Sequence, residues 1–377
     1  MTRRDCLILG ATLVSASCAG RKNRGYSGYA LIATSGEKSL AVVELPFLRR
    51  QMSIPLGAAP TAVVPAHTAG ASYVLTPSTD SVHLVDGNLR VAASRRCPGE
   101  LSEIRLATDG SALFAIATGS NELILLDPAS LHELRRMKLS ASPINFDVSD
   151  NGYVAISSGA SGIVELLHPA TGERHRIERP GAIGAVRFRK DGRVLLASDL
   201  SARSIVAFDV PSLQVYAELP LAMRPDNLCF NSDQGQLFIS GIGMDGIAIV
   251  FPYNVIEVEQ TVLAGRDPGV MACSSTPPYL FVASASGSDV CIVDIDNNRK
   301  MIGLVDVGGT PIYIATTPDD QYALVLSSNS SEMAVIDIPA ILAHQADPQT
   351  MRNRTGAALF AVVPVGAKPV HAAIIPR

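Results

Sequence analysis

The chain has 377 residues, 47% of them hydrophobic, and a mean hydropathy of +0.25, enough apolar material for a large core. Its 31 Lys and Arg against 35 Asp and Glu leave a net charge of −4, spread along the chain, which excludes a basic nucleic-acid-binding face. Trp is absent, which argues against WD-type repeats, and beyond the N-terminus no run reaches the ~18 uncharged apolar residues of a membrane span.

In chain order, residues 1–18 come first: "MTRRDCLILGATLVSASC" has two arginines, a short apolar run from Cys6 to Val14, and small residues ending at Cys18. That order of parts is a secretory signal rather than a cytoplasmic start. "TRRDCL" resembles a twin-arginine export motif with Cys6 where Phe is usual, and "SASC" resembles a lipobox with Ser15 where Leu or Val is usual. Cys18 is then the expected lipidation site, with simple cleavage near Ala19 as the alternative. Residues 19–28 read as a tether, and 29–377 as one exported domain, periplasmic or held at the cell envelope by the lipid.

From Tyr29 onward one phrase recurs every 40 to 44 residues. Its first apolar run reads "YALIATS", "SYVLTPS", "LFAIATG", "YVAISSG", "VLLASDL", "LFISGIG", "LFVASAS" and "YALVLSS". A polar turn and a second run follow, for example "VCIVDI" and "MAVIDI"; a third strand ends in a Pro or Gly turn. The fourth opens at Pro in most copies, as in "PINFDVS", "PDNLCFN", "PGVMACS", "PIYIATT" and "PVHAAII", while two copies read "SEIRLAT" and "IGAVRFR". Turns such as "TDGS", "SDNG", "RKDG" and "SDQG" then lead to the next copy, with residues that accept positive φ.

Four short strands per period, with no 3.6-residue pattern, predict an all-β fold: a β-propeller of four-stranded antiparallel blades. Eight copies predict eight blades, with seven as the alternative. The chain begins with three strands and ends with a lone fourth, "KPVHAAIIPR", so the C-terminal strand is expected to complete the N-terminal blade and close the ring.

The cycle "PIYIATTPDDQYALVLSSNSSEMAVIDI" resembles the YVTN β-propeller repeat, with "YVTN" itself present only as "YVLTP", "LFVAS" and "ALVLSS". The resemblance runs from Tyr29 to Arg377. It implies a propeller and, across relatives that include periplasmic binding proteins and a lactonase-like branch, no single reaction.

Motifs with apparent chemistry dissolve in the repeat. "DIDNN" at Asp294–Asn298 begins like a calcium loop, but Arg299 stands where Gly is required. Asp86, Asp127, Asp209, Asp294 and Asp337 all end the same strand and read as turn formers, with His168 in the same place. "GIGMDG" at Gly241–Gly246 lacks the Lys of a phosphate loop, and no G-x-S-x-G is present. The histidines show no ligand spacing, so no metal and no cofactor is expected; Cys97, Cys229, Cys273 and Cys291 show none either and read as buried free thiols.

The residues around the fourth-strand Pro differ in charge from copy to copy while the strand's role stays constant. They are Arg224, Asp226 and Asn227, then Arg266 and Asp267, then Tyr313, then Lys368 and His371. Taken as a polar mouth of the central channel, they suit an anionic or hydroxylated small ligand. An insertion at 340–358 in the last repeat, with a short helix over 341–345, is a candidate surface element. The expected function is a non-catalytic, monomeric binding or scaffold protein for a small ligand or a protein partner. The alternatives are a lactonase-like hydrolase built on Arg224, Arg266 and His371, and a redox-partner propeller carrying haem or quinone. No catalytic set is legible.

Overall fold

A computed structural model describes residues 25–253, 256–296, 299–345 and 358–377. The export signal, Cys18, the tether up to residue 24, Asn297 and Asn298 of the acidic run, and 346–357 of the insertion lie outside the described residues.

The repeat folds into eight four-stranded antiparallel sheets. The strands that open at Pro, or at its substitutes, are innermost: β4 (Ala62–Pro65), β8 (Leu101–Leu106), β12 (Asn145–Val148), β16 (Ile183–Phe188), β20 (Asn227–Phe230), β24 (Pro268–Cys273), β28 (Pro311–Thr316) and β32 (Pro369–Pro376). Each meets the next around the axis, and β32 meets β4, which completes the circle. The first blade holds β1 (Gly28–Thr34), β2 (Ser39–Glu44) and β3 (Arg49–Pro55), and takes β32 as its innermost strand. The pairing of β32 with β1 is antiparallel and runs from Gly28 opposite Pro376 to Ala33 opposite His371.

The burial pattern explains why the middle strands read as continuous apolar runs. Every residue of β1 and β2 is buried, because both faces of a blade are covered by its neighbours. Period-two alternation then divides each strand between two joints: Leu31 packs toward the second blade and Ile32 toward the eighth. Eight apolar clusters result, one at each joint of the ring. The outermost strands, such as β3, are mostly exposed or half-buried.

The turns follow the expected chemistry with one shift. Gly110, Gly152 and Gly192 carry the positive φ at the hairpin after the innermost strand, and Asp320 does so in "TPDDQ". In "SDQG" the left-handed residue is Gln234 rather than Gly235, because the hairpin closes from the Gln234 amide to the Asn231 carbonyl. The helix α1 (Ile338–Gln345) opens the insertion, and Ile341 is buried against the joint between the seventh and eighth blades.

Candidate functional site: the channel wall and its two ends

The predicted mouth residues divide into two groups. At the strand entries, Arg224 Nε donates to Asp226 Oδ1 at 2.7 Å, and Asp226 Oδ2 accepts the Ile242 amide at 2.9 Å. Asn227 starts β20 opposite Ser240. Asp267 has positive φ and its Oδ2 accepts the Ser286 hydroxyl at 2.5 Å; the carbonyl of Arg266 accepts from Ser284 at 3.0 Å. Lys368, also at positive φ, offers its carbonyl to the amide and hydroxyl of Ser35. These residues shape the turns that lead into the innermost strands, with the side chains of Arg266 and Lys368 exposed.

Tyr313 and His371 lie deeper, in the wall itself. Their rings lie against each other with centroids 4.3 Å apart and planes tilted by 39°, and the Tyr313 hydroxyl donates to the Ala372 carbonyl at 2.8 Å. Burial pushes the Tyr313 phenol up to about 12 and the His371 imidazole down to about 4, so both are neutral across the physiological range. His371 Nδ1 accepts the Val63 amide at 3.4 Å, which leaves its proton on Nε2. Arg224 and Arg266 enter the innermost strands of the sixth and seventh blades, whereas His371 lies on the innermost strand of the first.

A charged ladder crosses the third, fourth and fifth blades. On β8, Arg105 Nε donates to Glu103 Oε1 at 2.9 Å, and its Nη1 reaches Asp147 Oδ1 on β12 at 3.2 Å. Asp147 Oδ2 accepts the Phe188 amide of β16 at 2.8 Å. Asn145 donates to Glu103 Oε2 and accepts from Arg187 Nη1 at 2.9 Å and from the Val186 amide at 3.0 Å. Burial, and then the neighbouring Arg105, lower the Arg187 pKa. Its guanidinium rests on an amide oxygen and the Val186 carbonyl. None of these residues belongs to the mouth expected from the sequence. Their signal was there in "SEIRLAT", "PINFDVS" and "IGAVRFR", where polar or charged residues sit two apart in strands destined for the axis.

At the carboxyl ends of β4, β8 and β12 the channel widens into a cavity of about 840 Å³. This is the end opposite the strand entries. Its lining mixes apolar side chains such as Val64, Ile104 and Leu106 with Glu103, Arg105, Asp147, His67 and His371. The two histidines are far apart in the chain, and ring closure between β32 and β4 brings them to one cavity. Among the described residues, no three His, Cys, Asp or Glu side chains are grouped to hold a metal ion. Asp294 Oδ1 accepts the Asp296 amide, and Asp86, Asp127, Asp209, Asp337 and His168 accept local turn donors in the same way.

The fold defines the class, an eight-bladed β-propeller. No family model matches the chain, and no curated protein matches it in sequence. Among solved structures it is similar to dihydro-heme d1 dehydrogenase NirN in complex with DHE, at TM-score 0.76 and 15% identity, over 92% of this chain and 75% of that one. It is also similar to a functionally unknown protein from Desulfotomaculum acetoxidans DSM 771, at TM-score 0.61 and 13% identity, over 81% and 98%. Hydrazine synthase of Kuenenia stuttgartiensis follows at TM-score 0.52 and 15% identity, over 84% and 95%. At these identities the likeness is one of fold.

Proposed function

We propose that this chain is a non-catalytic, YVTN-like binding propeller that holds a planar, carboxylate-bearing macrocycle of the haem d1 type in the cavity at the carboxyl ends of β4, β8 and β12. The cavity carries the reading: its volume lies in the range of small-ligand sites, and its walls combine apolar surface with a few fixed polar groups. The fold it shares with NirN, named for dihydro-heme d1, supports the ligand class. The residues present fit such a group. The bonds of Arg105 to Glu103 and Asp147 leave further guanidinium N–H groups for a ligand carboxylate. His371, held neutral by burial, lines the cavity, and exposed His67 is an imidazole available to iron. The macrocycle brings its own redox chemistry; the chain binds it and orients it.

Titration of the purified protein with hemin, followed by difference absorbance, tests this. A saturable shift weakened roughly tenfold by Arg105→Ala and by His67→Ala supports it. No shift, or one indifferent to both variants, overturns it, and turnover on a lactone panel overturns the non-catalytic assignment. Export and anchoring belong to the same proposal: the mature chain is lipidated at Cys18, and Cys18→Ala releases it from the membrane fraction.

A further inference from the structure

Cys229 and Cys273 are separated by 44 residues in sequence, about one repeat, and so occupy adjacent innermost strands, β20 and β24. Their sulfurs face each other at 3.8 Å. Both are half-buried at the inner edge of the cluster that packs the sixth blade on the seventh, whereas Cys97 and Cys291 are buried. At other joints the innermost strands are tied by polar bonds: Arg105 to Asp147, Arg187 to Asn145, Thr316 to the Cys273 carbonyl, and Tyr313 to the Ala372 carbonyl. Between β20 and β24 the facing groups are two thiols.

We propose that Cys229 and Cys273 are a redox modification site, a dithiol that closes reversibly to a disulfide and staples the sixth blade to the seventh at the channel wall. Bond formation requires the sulfurs to approach from 3.8 Å to about 2.05 Å. The co-reactant is a disulfide, either a small molecule or a protein. The Cys229 thiol loses its proton to water, and its thiolate attacks one sulfur of the co-reactant, whose S–S bond breaks and releases a thiolate. Cys273, deprotonated in turn, attacks the Cys229 sulfur and expels the second thiolate. The chain has lost two protons and two electrons, and the co-reactant has been reduced to two thiols. This order follows from the bond between the thiols and then from burial, which together hold the Cys273 pKa well above its ordinary value.

The test uses the full chain, reduced and desalted, then exposed to oxidised glutathione, alkylated, digested and mapped by mass spectrometry. The expected product is the Cys229 peptide joined to the Cys273 peptide, lighter by two hydrogens and restored by dithiothreitol. Alkylation of both residues falls roughly tenfold, and Cys97 and Cys291 remain thiols. The oxidised chain melts at a higher temperature, since a cross-link restricts the unfolded state. Cys273→Ser is expected to stop at a glutathione adduct on Cys229. Undiminished alkylation of both residues after exposure overturns the proposal, as does a wild-type chain that ends as the same adduct. The wild-type map reads the outcome even if a variant folds poorly.

Discussion

Tyr313 packs its ring against His371 across the last joint of the ring of blades, with centroids 4.3 Å apart and planes tilted by 39°, and its hydroxyl donates to the carbonyl of Ala372, the next residue on β32. One side chain of the eighth blade thus holds both the backbone of the closing strand and the imidazole that faces the cavity. The imidazole is kept neutral by burial, and this has a consequence for stability.

The unfolded imidazole takes up a proton near 6.5 and the folded one only near 4. Above pH 6.5 both states are neutral and His371 adds no pH dependence. Below it the unfolded state binds the extra proton, so stability falls as pH drops toward 4, by about 1.4 kcal/mol per pH unit and roughly 3 kcal/mol in all. His371→Gln is expected to flatten this limb. Urea midpoints measured from pH 7.5 to 4.5 check it: a wild-type-minus-variant difference that does not change over that interval rules the assignment out.

Tyr313→Phe keeps the ring contact with His371 and removes the donor to Ala372. The buried carbonyl then loses a partner, and the expected cost is about 1 kcal/mol with a lower Tm. An unchanged thermal midpoint would show that the hydroxyl contributes nothing to closure.

The propeller itself was legible because its constraints repeat. Runs such as "YALVLSS" are buried on both faces, so they stay apolar throughout, and a strand that opens at Pro311 or Pro369 marks the phase of every blade. Tyr313 and His371 stood out as departures at a position of constant role. Glu103, Arg105, Asp147 and Arg187 did not, because a charge in a strand reads as a solvent face until the strand is known to be innermost. There Arg105 faces Asp147, and Arg187 faces Asn145, on the neighbouring blade. Cys229 and Cys273 were missed for a related reason: one repeat of separation is a neighbour distance only once the ring is closed. His67 and His371 meet through the same closure.

Asp147 joins three blades, accepting from Arg105 on one side and from the Phe188 amide on the other. Asp147→Ala leaves a half-buried guanidinium with one fewer counter-charge and a backbone amide with no acceptor, an expected loss of about 3 kcal/mol. Asp147→Asn retains an acceptor oxygen and should cost about 1 kcal/mol. Equal losses for the two substitutions, measured by chemical denaturation, would mean that the carboxylate acts by shape alone.

The strand-entry rim should behave differently. The Arg224 side chain is 43% exposed, so its pair with Asp226 is worth little, and Arg224→Ala is expected to change stability by no more than about 0.5 kcal/mol. Asp226→Ala also removes the acceptor for the Ile242 amide and should cost about 1 kcal/mol. A larger loss for the arginine than for the aspartate would reverse this ordering.

Closure of the ring by β32 gives the sharpest test of the fold. This strand pairs with β1 and buries Ala372, Ala373 and Ile375 at the joints on either side of the first blade. Removal of residues 369–377 leaves β1 with an unpaired edge and opens both joints at once. An open edge beside exposed apolar surface favours association between chains. The truncated chain is therefore expected to lose its cooperative thermal transition and to elute as aggregates. Ile375→Ala is the milder control: the side chain is 1% exposed, and its loss should cost about 3 kcal/mol while the ring stays closed. A truncated chain that remains monomeric and melts cooperatively near the full-length midpoint would show that the apolar joints hold the ring without the closing strand.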